Sequence, residues 1–513
     1  VLQGPPFYYS YKSISYVFLK KLFVPIVILA VSVLTGCADK QDKQPNVIFF
    51  ITDDMYPYMF NNLPEGNGKN LTPNIDRLAQ EGVYLSNIHV ASPVCTPSRY
   101  NVLTGNYASR ATNDEFREYT AKNENQTVIQ WNAFITPNIE RTMGHYLQDL
   151  GYRTGFAGKN HVVESSYRVD SNTKPDLLAD PRDPAVKADL LARHEDLVQR
   201  IKASGFDFAD NLYDNNPRWL GLDALAYQNM DWITEAGLRF IDSSEDKPFF
   251  LYFATTIPHG PVDDEHSWQA DPRITAKGIL DKAPKVQPAR DTLVPRLKAA
   301  GLDGTRRENL LWLDDALGAL FARLEQSGEI DNTIIFFFND HGQNSKGTLY
   351  QGGVKSQSFV WRSKGFNCAG NENVCSMPVS NTDFLPTILE MVGKSDTQNL
   401  VDGRSFAGAL EGETYSARES MYFELGFARA VVKDDFKYIA IRYPDWANNL
   451  NDEERKNLLQ EYNEFRQSFG AKAITTDHTK PFGHIELTPG GGGAGSGTYG
   501  KKPGYFDPDQ LYD

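Results

Sequence analysis

The chain has 513 residues, of which 41% are hydrophobic and 23% charged, and its formal net charge is −14. That length and composition fit a large globular protein with a substantial core and exclude an intrinsically disordered one. The acidic balance lacks the basic face a nucleic-acid binder needs, so no nucleic-acid partner is expected.

Taken from the N-terminus, Lys20-Lys21 precede an apolar run from Leu22 to Leu34. A basic flank before an apolar stretch too short to span a bilayer reads as a secretory signal. Leu34-Thr35-Gly36-Cys37 resembles a bacterial lipobox, which implies cleavage before Cys37 and a lipid on its thiol. Residues 1–37 are therefore read as an N-terminal extension with a lipoprotein signal peptide, and 38–45 as a polar tether. The expected location is exported and lipid-anchored at Cys37 to a bacterial membrane, facing the periplasm or the cell surface. VLQGPPFYYSYKS, ahead of the basic flank, is set aside as extraneous to the fold.

Export places the remaining cysteines in an oxidising compartment. Cys368 and Cys375, in the Gly/Asn-rich stretch GFNCAGNENVCSMP, are close enough in sequence to close a small disulfide loop. Cys95, in SPVCTPSR, is left without a partner, and an odd thiol in an exported protein asks for an explanation.

Asn46 to Thr52 (NVIFFIT) is a continuous apolar, β-rich run, as expected of a parallel strand buried on both faces, and Asp53-Asp54 follow it. Thr72-Pro73 predicts a helix start with Thr as N-cap, and Ile75, Leu78 and Ala79 give it an apolar face. The short piece Thr154 to Ala157 leads into Gly158-Lys159-Asn160-His161. Phe249 to Ala254 is a second buried strand, running on to Pro258-His259-Gly260-Pro261. Leu310, Leu313, Leu317, Leu320 and Leu324 mark an amphipathic helix, and Thr333 to Phe338 predicts another strand, ending in Asn339-Asp340-His341-Gly342. Strands alternating with helices predict an α/β fold with a large, mostly parallel, doubly wound sheet. Ala428 to Ile441 reads as a hairpin turning at Lys433-Asp434-Asp435, Glu453 to Phe469 as a helix, and Gly490 to Gly500 as a glycine-rich loop. The predicted boundaries are a catalytic domain over 46–411 and a smaller α+β subdomain over 412–513. GSGTYGKK within the glycine-rich loop nearly matches a P-loop, but lacks the Ser/Thr after Lys and a preceding buried strand.

In doubly wound sheets ligands bind beyond the carboxyl ends of the strands, where Asp53, Asp54, His259, Asp340 and His341 all fall. Carboxylates gathered in one pocket repel unless a cation neutralises them, and oxygen-rich ligation points to Ca²⁺ or Mg²⁺. His341 is less usual for Ca²⁺ and leaves Zn²⁺ or another metal open. Arg99, Lys159, His161, His259 and Lys346 form a second, basic constellation, for which an anionic group is the natural ligand.

Cys95-Thr96-Pro97-Ser98-Arg99, with Thr104-Gly105 beyond, resembles the maturation motif of formylglycine-dependent (type I) sulfatases, members of the alkaline phosphatase-like superfamily. The resemblance extends through NVIFFITDD, TPNIDRLAQEGV, GKNH, PHGP, NDHG and KGTLYQGG, over about residues 46 to 411, and DDFKYI and DQLYD are similar to the family's C-terminal subdomain, which usually continues past LYD, so 412–513 is expected to be cut short. It implies that Cys95 is oxidised to formylglycine by a formylglycine-generating or anaerobic maturation enzyme. It further implies that one hydroxyl of the hydrated aldehyde attacks the sulfur of a sulfate ester, the aldehyde re-forming as inorganic sulfate leaves. By position, Asp53, Asp54, Asp340 and His341 would hold one Ca²⁺ together with residue 95, Mg²⁺ being the second choice. Arg99 and Lys159 would stabilise the hydrated aldehyde, and His161 would be the base for its second hydroxyl. Lys346 would grip the sulfate, and His259 would bind it and protonate the leaving oxygen. Many relatives carry Asn where this chain has His341, which bears on metal identity. The expected activity is a bacterial carbohydrate sulfatase, acting on sulfated oligosaccharides or polysaccharides, those derived from algal polysaccharides first. The alternatives are a phosphonate or phosphodiester hydrolase of the same superfamily, or a glycan-binding lipoprotein with unconverted Cys95. Substrate-rim segments are sought at Asn113 to Asn138 and around His478 and His484.

Overall fold

A computed structural model describes residues 43–166, 176–304, 307–368, 373–394, 396–397, 400–413, 418–468, 470, 473, 478 and 507–513. The chain divides into two units at Lys43–Gln44, and the described fold is that of the second. The signal peptide, Cys37, tether residues 38–42, the Gly490–Gly500 loop and His484 lie outside the described residues.

NVIFFITD forms β1 (Asn46–Asp53), buried along its whole length. Such a strand has apolar side chains to offer to both faces, so it belongs in the middle of a sheet covered on both sides. Around it stand β2 (Val83–Leu85), β4 (Arg153–Lys159), β5 (Phe208–Tyr213), β6 (Phe249–Pro258), β9 (Thr333–Asn339), β10 (Ser358–Arg362) and β11 (Val374–Cys375). They make an eight-stranded sheet in the order β11-β2-β10-β9-β1-β6-β4-β5. β9, β1, β6, β4 and β5 run parallel, whereas β10 is antiparallel to both β9 and β2. This is the predicted α/β architecture, with one reversed strand.

The central ladder is aromatic. Phe50 stacks between Phe253 and Phe337, at centroid distances of 5.0 and 5.6 Å, on the face covered by helix Glu308–Ser327. The leucines expected on that helix, from Leu310 to Leu324, are all buried there. On the opposite face Phe49, Phe336 and Phe338 surround Phe384, which begins helix Phe384–Met391. Each aromatic pair adds about 1 kcal/mol to its area term, so this ladder fixes the register of the central strands.

Helix Pro73–Glu81 starts where Thr72-Pro73 predicts, but Thr72 does not cap it with its side chain. The N–H groups of Asn74 and Ile75 are instead taken by the carboxylate of Asp314, from helix Glu308–Ser327, at 2.8–3.2 Å. The Thr72 hydroxyl turns to Asp76.

Short pairs β3 (Ile88–His89) with β12 (Val379–Ser380), and β7 (Ile274–Thr275) with β8 (Gly278–Ile279), lie outside the main sheet. Toward the C-terminus β13 (Ser420–Leu425), β14 (Ala428–Lys433), β15 (Phe436–Ile441) and β16 (Asp509–Tyr512) form an antiparallel sheet. Its inner residues Met421, Phe423 and Ile439 share a core with Val94, Leu349 and Val354. The expected hairpin turns at Asp434, and the expected helix spans Asp452–Ser468. Cys368 and Cys375 are disulfide-bonded, with Cα atoms 5.9 Å apart.

Candidate active site

Strand register alone delivers most of the site. Thr52 pairs with Asn339, Asp53 with Pro258, and Ala254 with Gly158, so the carboxyl ends of β1, β9, β6 and β4 finish side by side. Their next residues are Asp53-Asp54, Asp340-His341, His259 and Lys159-Asn160-His161. Gly158 has φ +92°, and a Cβ there would stand 1.9 Å from the Ala254 carbonyl oxygen, so no side chain fits the crossing that aims Lys159 inward. Asp54 (φ 70°) and His161 (φ 50°) take the left-handed conformation, which costs a non-glycine residue about 1 kcal/mol or more and is found where surrounding structure imposes it.

Asn339 clamps two of these strand ends. Its amide accepts from the Met55 N–H at 2.9 Å and donates to the carbonyls of Met55 (3.2 Å) and His341 (2.6 Å). Helix Cys95–Thr104 is buried at every position, with Cys95 in its first turn. The Ser98 hydroxyl donates to the Asp340 carbonyl, and Asn381 donates to Ser98, which ties this helix to β9.

Around Cys95, its Sγ lies 3.5 Å from His341 Nε2 and 3.7 Å from Lys346 Nζ. Lys346 Nζ also donates to both oxygens of Asp54, at 2.6 and 2.8 Å. His341 Nε2 lies 3.1 Å from Asp54 Oδ1 and 3.6 Å from Asp340 Oδ1. Lys159 Nζ donates to Asp53 Oδ2 at 2.6 Å, and Arg99 Nη2 reaches Asp53 at 3.5 Å and Asp340 at 3.4 Å, all with fully buried side chains. His259 Nε2 stands 3.7 Å from Asp54 Oδ2, and its backbone carbonyl accepts from Gln228. His161 is buried two residues beyond Lys159, its backbone N–H bonded to the Asp214 carbonyl. Nine of the ten expected site residues are thus joined by direct contacts, and His161 stands at the same strand end.

Charge is concentrated and opposed. Burial pushes the Asp53 carboxyl up, but Lys159, His259 and Arg99 outweigh it and hold the group well below the carboxylate range. Asp54 is likewise low, with Lys346 and His259 overcoming burial. Asp340 goes the other way, pushed up to about 6 by burial and by the neighbouring charges of Asp53 and Asp54. Burial lowers His259 below its ordinary value, against the pull of Asp54 and Asp53.

The ligand atoms of Asp54, Cys95 and His341 lie within 4.8 Å of one another, as do those of Asp53, Cys95 and Asp340. Three carboxylates, one imidazole and the side chain at position 95 suit a divalent ion, and the donor chemistry fits. Sequence reasoning missed Asn339, Gln228 and Gln343, whose Nε2 donates to Asp54 Oδ2 at 3.1 Å. The signal for Gln343 was its place between His341 and Lys346, and that for Asn339 its place in NDHG; Gln228 acts through backbone carbonyls and leaves no motif.

The sulfatase family model matches residues 45–394. The chain belongs to the sulfatase family. This sulfatase chain is 25% identical over 423 residues to an ulvan-active sulfatase of Formosa agariphila, covering 79% of the chain and 62% of that relative. It therefore spans less than two thirds of the relative's length. Its fold is shared by a protein solved with its substrate D-glucosamine-2-N,6-O-disulfate, at TM-score 0.52 and 18% identity, covering 83% of this chain and 98% of that one. It is shared too by a phosphonate monoester hydrolase from Silicibacter pomeroyi, at TM-score 0.50 and 17% identity, covering 78% and 87%.

Proposed function

We propose that this chain hydrolyses sulfate esters of a carbohydrate, releasing inorganic sulfate, with residue 95 as formylglycine and one Ca²⁺ held by Asp53, Asp54, Asp340, His341 and residue 95. The observation that carries the reading is the placement of Cys95 against His341 and Lys346, at the edge of a carboxylate cluster built by parallel strand ends. The aldehyde would supply a hydrated hydroxyl as nucleophile, and the ion would polarise it together with the sulfate oxygens.

The chain's own residues do the rest. Lys346, close to both position 95 and Asp54, draws the anionic ester toward the nucleophile and counters charge on its oxygens. His259, the most exposed of the three basic groups beside Asp54, protonates the leaving oxygen. The negative charge of a bound sulfate ester raises this histidine's proton affinity, which offsets the effect of its burial. Lys159 and Arg99, wholly buried, keep Asp53 ionised and in place. His161 acts as the base for the second hydroxyl at position 95.

Oligosaccharides from algal polysaccharides are the favoured substrates, supported by the similarity to an ulvan-active sulfatase. Export with a lipid at Cys37 is part of the same reading, and the Cys368–Cys375 disulfide supports an oxidising compartment. We retain 46–411 as the catalytic domain and 412–513 as a smaller subdomain.

The deciding experiment measures sulfate released from defined sulfated oligosaccharides and aryl sulfate, beside turnover of an aryl phosphodiester and a phosphonate monoester. Turnover of sulfate esters that is lost in Cys95→Ala is expected. A strong preference for the phosphorus esters would overturn the reading in favour of the phosphonate hydrolase that shares this fold.

A further inference from the structure

Gln343 lies on the loop after β9, between His341 and Lys346, and has no role in the chemistry set out above. Its Nε2 donates to Asp54 Oδ2 at 3.1 Å, whereas its Oε1 is buried without a hydrogen-bond partner. An orphaned polar atom of this kind costs roughly 1–3 kcal/mol. Asp54 has little need of the donor, since Lys346 serves both its oxygens and His341 stands 3.1 Å from one of them. The amide therefore meets the ligating cluster through its nitrogen, while its oxygen, the better metal ligand, is left unsatisfied.

We propose that Gln343 is a further ligand of the divalent ion, through its amide oxygen, and biases the site toward Ca²⁺ over Mg²⁺; the inference rests on the metal site of the preceding reading. A half-turn about the terminal amide torsion, which has a broad two-fold profile, exchanges oxygen and nitrogen. Oε1 then occupies the place of Nε2, 3.1 Å from Asp54 Oδ2. Ligands at about 2.4 Å from Ca²⁺, separated by about 80°, lie roughly 3 Å apart, so the two oxygens can share one ion. With Asp53, Asp54, Asp340, His341 and residue 95, Gln343 would bring the number of protein ligands to six. Mg²⁺ would then have no position for a sulfate oxygen, whereas Ca²⁺ accepts about 6–8 ligands and keeps room for substrate.

The test is calorimetric titration of Ca²⁺ and of Mg²⁺ into the chelator-stripped full chain, for wild type, Gln343→Leu and Gln343→Glu, with metal-free melting temperatures as a check on folding. Gln343→Leu should weaken binding of both ions, that of Ca²⁺ by about tenfold or more. Gln343→Glu, which keeps an oxygen but removes the donor, should bind Ca²⁺ at least as tightly as wild type. Ca²⁺ affinity of Gln343→Leu within about twofold of wild type overturns the inference. So does a Gln343→Glu variant that loses affinity, because that result makes Gln343 only a donor to Asp54; this arm decides even if Gln343→Leu does not fold. Absence of Ca²⁺ binding by wild type would instead overturn the metal reading itself, and the inference with it.

Discussion

At the scale of single residues the site is a set of opposed charges whose partners are already chosen. Asp53 is held by Lys159 and Arg99, Asp54 by Lys346 and His341, and Asp340 is left nearest to neutrality. His259 is the group least committed to this network, standing 3.7 Å from Asp54. Its assignment as proton donor therefore has a distinct kinetic signature. His259→Ala should slow hydrolysis of alkyl sulfates, whose leaving oxygens need a proton, far more than that of nitrophenyl sulfate, whose leaving group does not. A loss of about 10²-fold or more on the alkyl ester, with a much smaller loss on the aryl ester, is expected from steady-state kcat/KM. Equal losses on both would remove His259 from that role and leave it a sulfate-binding group.

At the scale of elements the molecule was legible wherever a strand is buried on both faces. The apolar runs NVIFFIT, FFLYFA and TIIFFF betray themselves as parallel strands, and the polar residues after them mark the functional edge because parallel strands all end on one side. Contacts carried by long-range side chains were not legible. Thr72 has the right chemistry and position for an N-cap, yet the cap of helix Pro73–Glu81 is Asp314, hundreds of residues away. No local pattern announces a cap delivered by another helix. The reversal of β10 is hidden for a similar reason, since the apolar pattern of a short buried strand does not reveal its direction. The cap predicts its own test: Asp314→Ala should cost roughly 1–2 kcal/mol in urea denaturation, and Thr72→Ala distinctly less. The order reversed would mean that the hydroxyl at position 72 dominates.

At the scale of the whole molecule, buried histidines outside the site set an acid limit. His194 lies beside β5 and accepts the Leu212 N–H through Nε2, and burial pushes it down to about 4; His89, buried beside Lys437, is also lowered to about 4. Unfolded, each takes up a proton near pH 6.5, so from there down to about pH 4 the unfolded chain binds more protons than the folded one. Stability should fall through that window, by up to about 3 kcal/mol for each histidine. His194→Gln should flatten the fall between pH 6.5 and 4.5 in urea denaturation; an unchanged slope would show that carboxylates alone control acid unfolding. A different limit, on timing, follows from Cys95. The thiol is 1% exposed and opens a helix buried at every position, against strand ends locked by Asn339 and Ser98. No enzyme can close around such a residue in the finished fold. If position 95 is converted as proposed, conversion would have to precede collapse of the chain, with the unfolded polypeptide rather than the native protein as its substrate. A chain that folds unedited is sealed: its thiol should resist iodoacetamide until urea opens the fold, as peptide mass analysis before and after unfolding would record. On the proposed reading, burial would thus act as an assembly clock, with conversion of Cys95 completed before the fold closes over it.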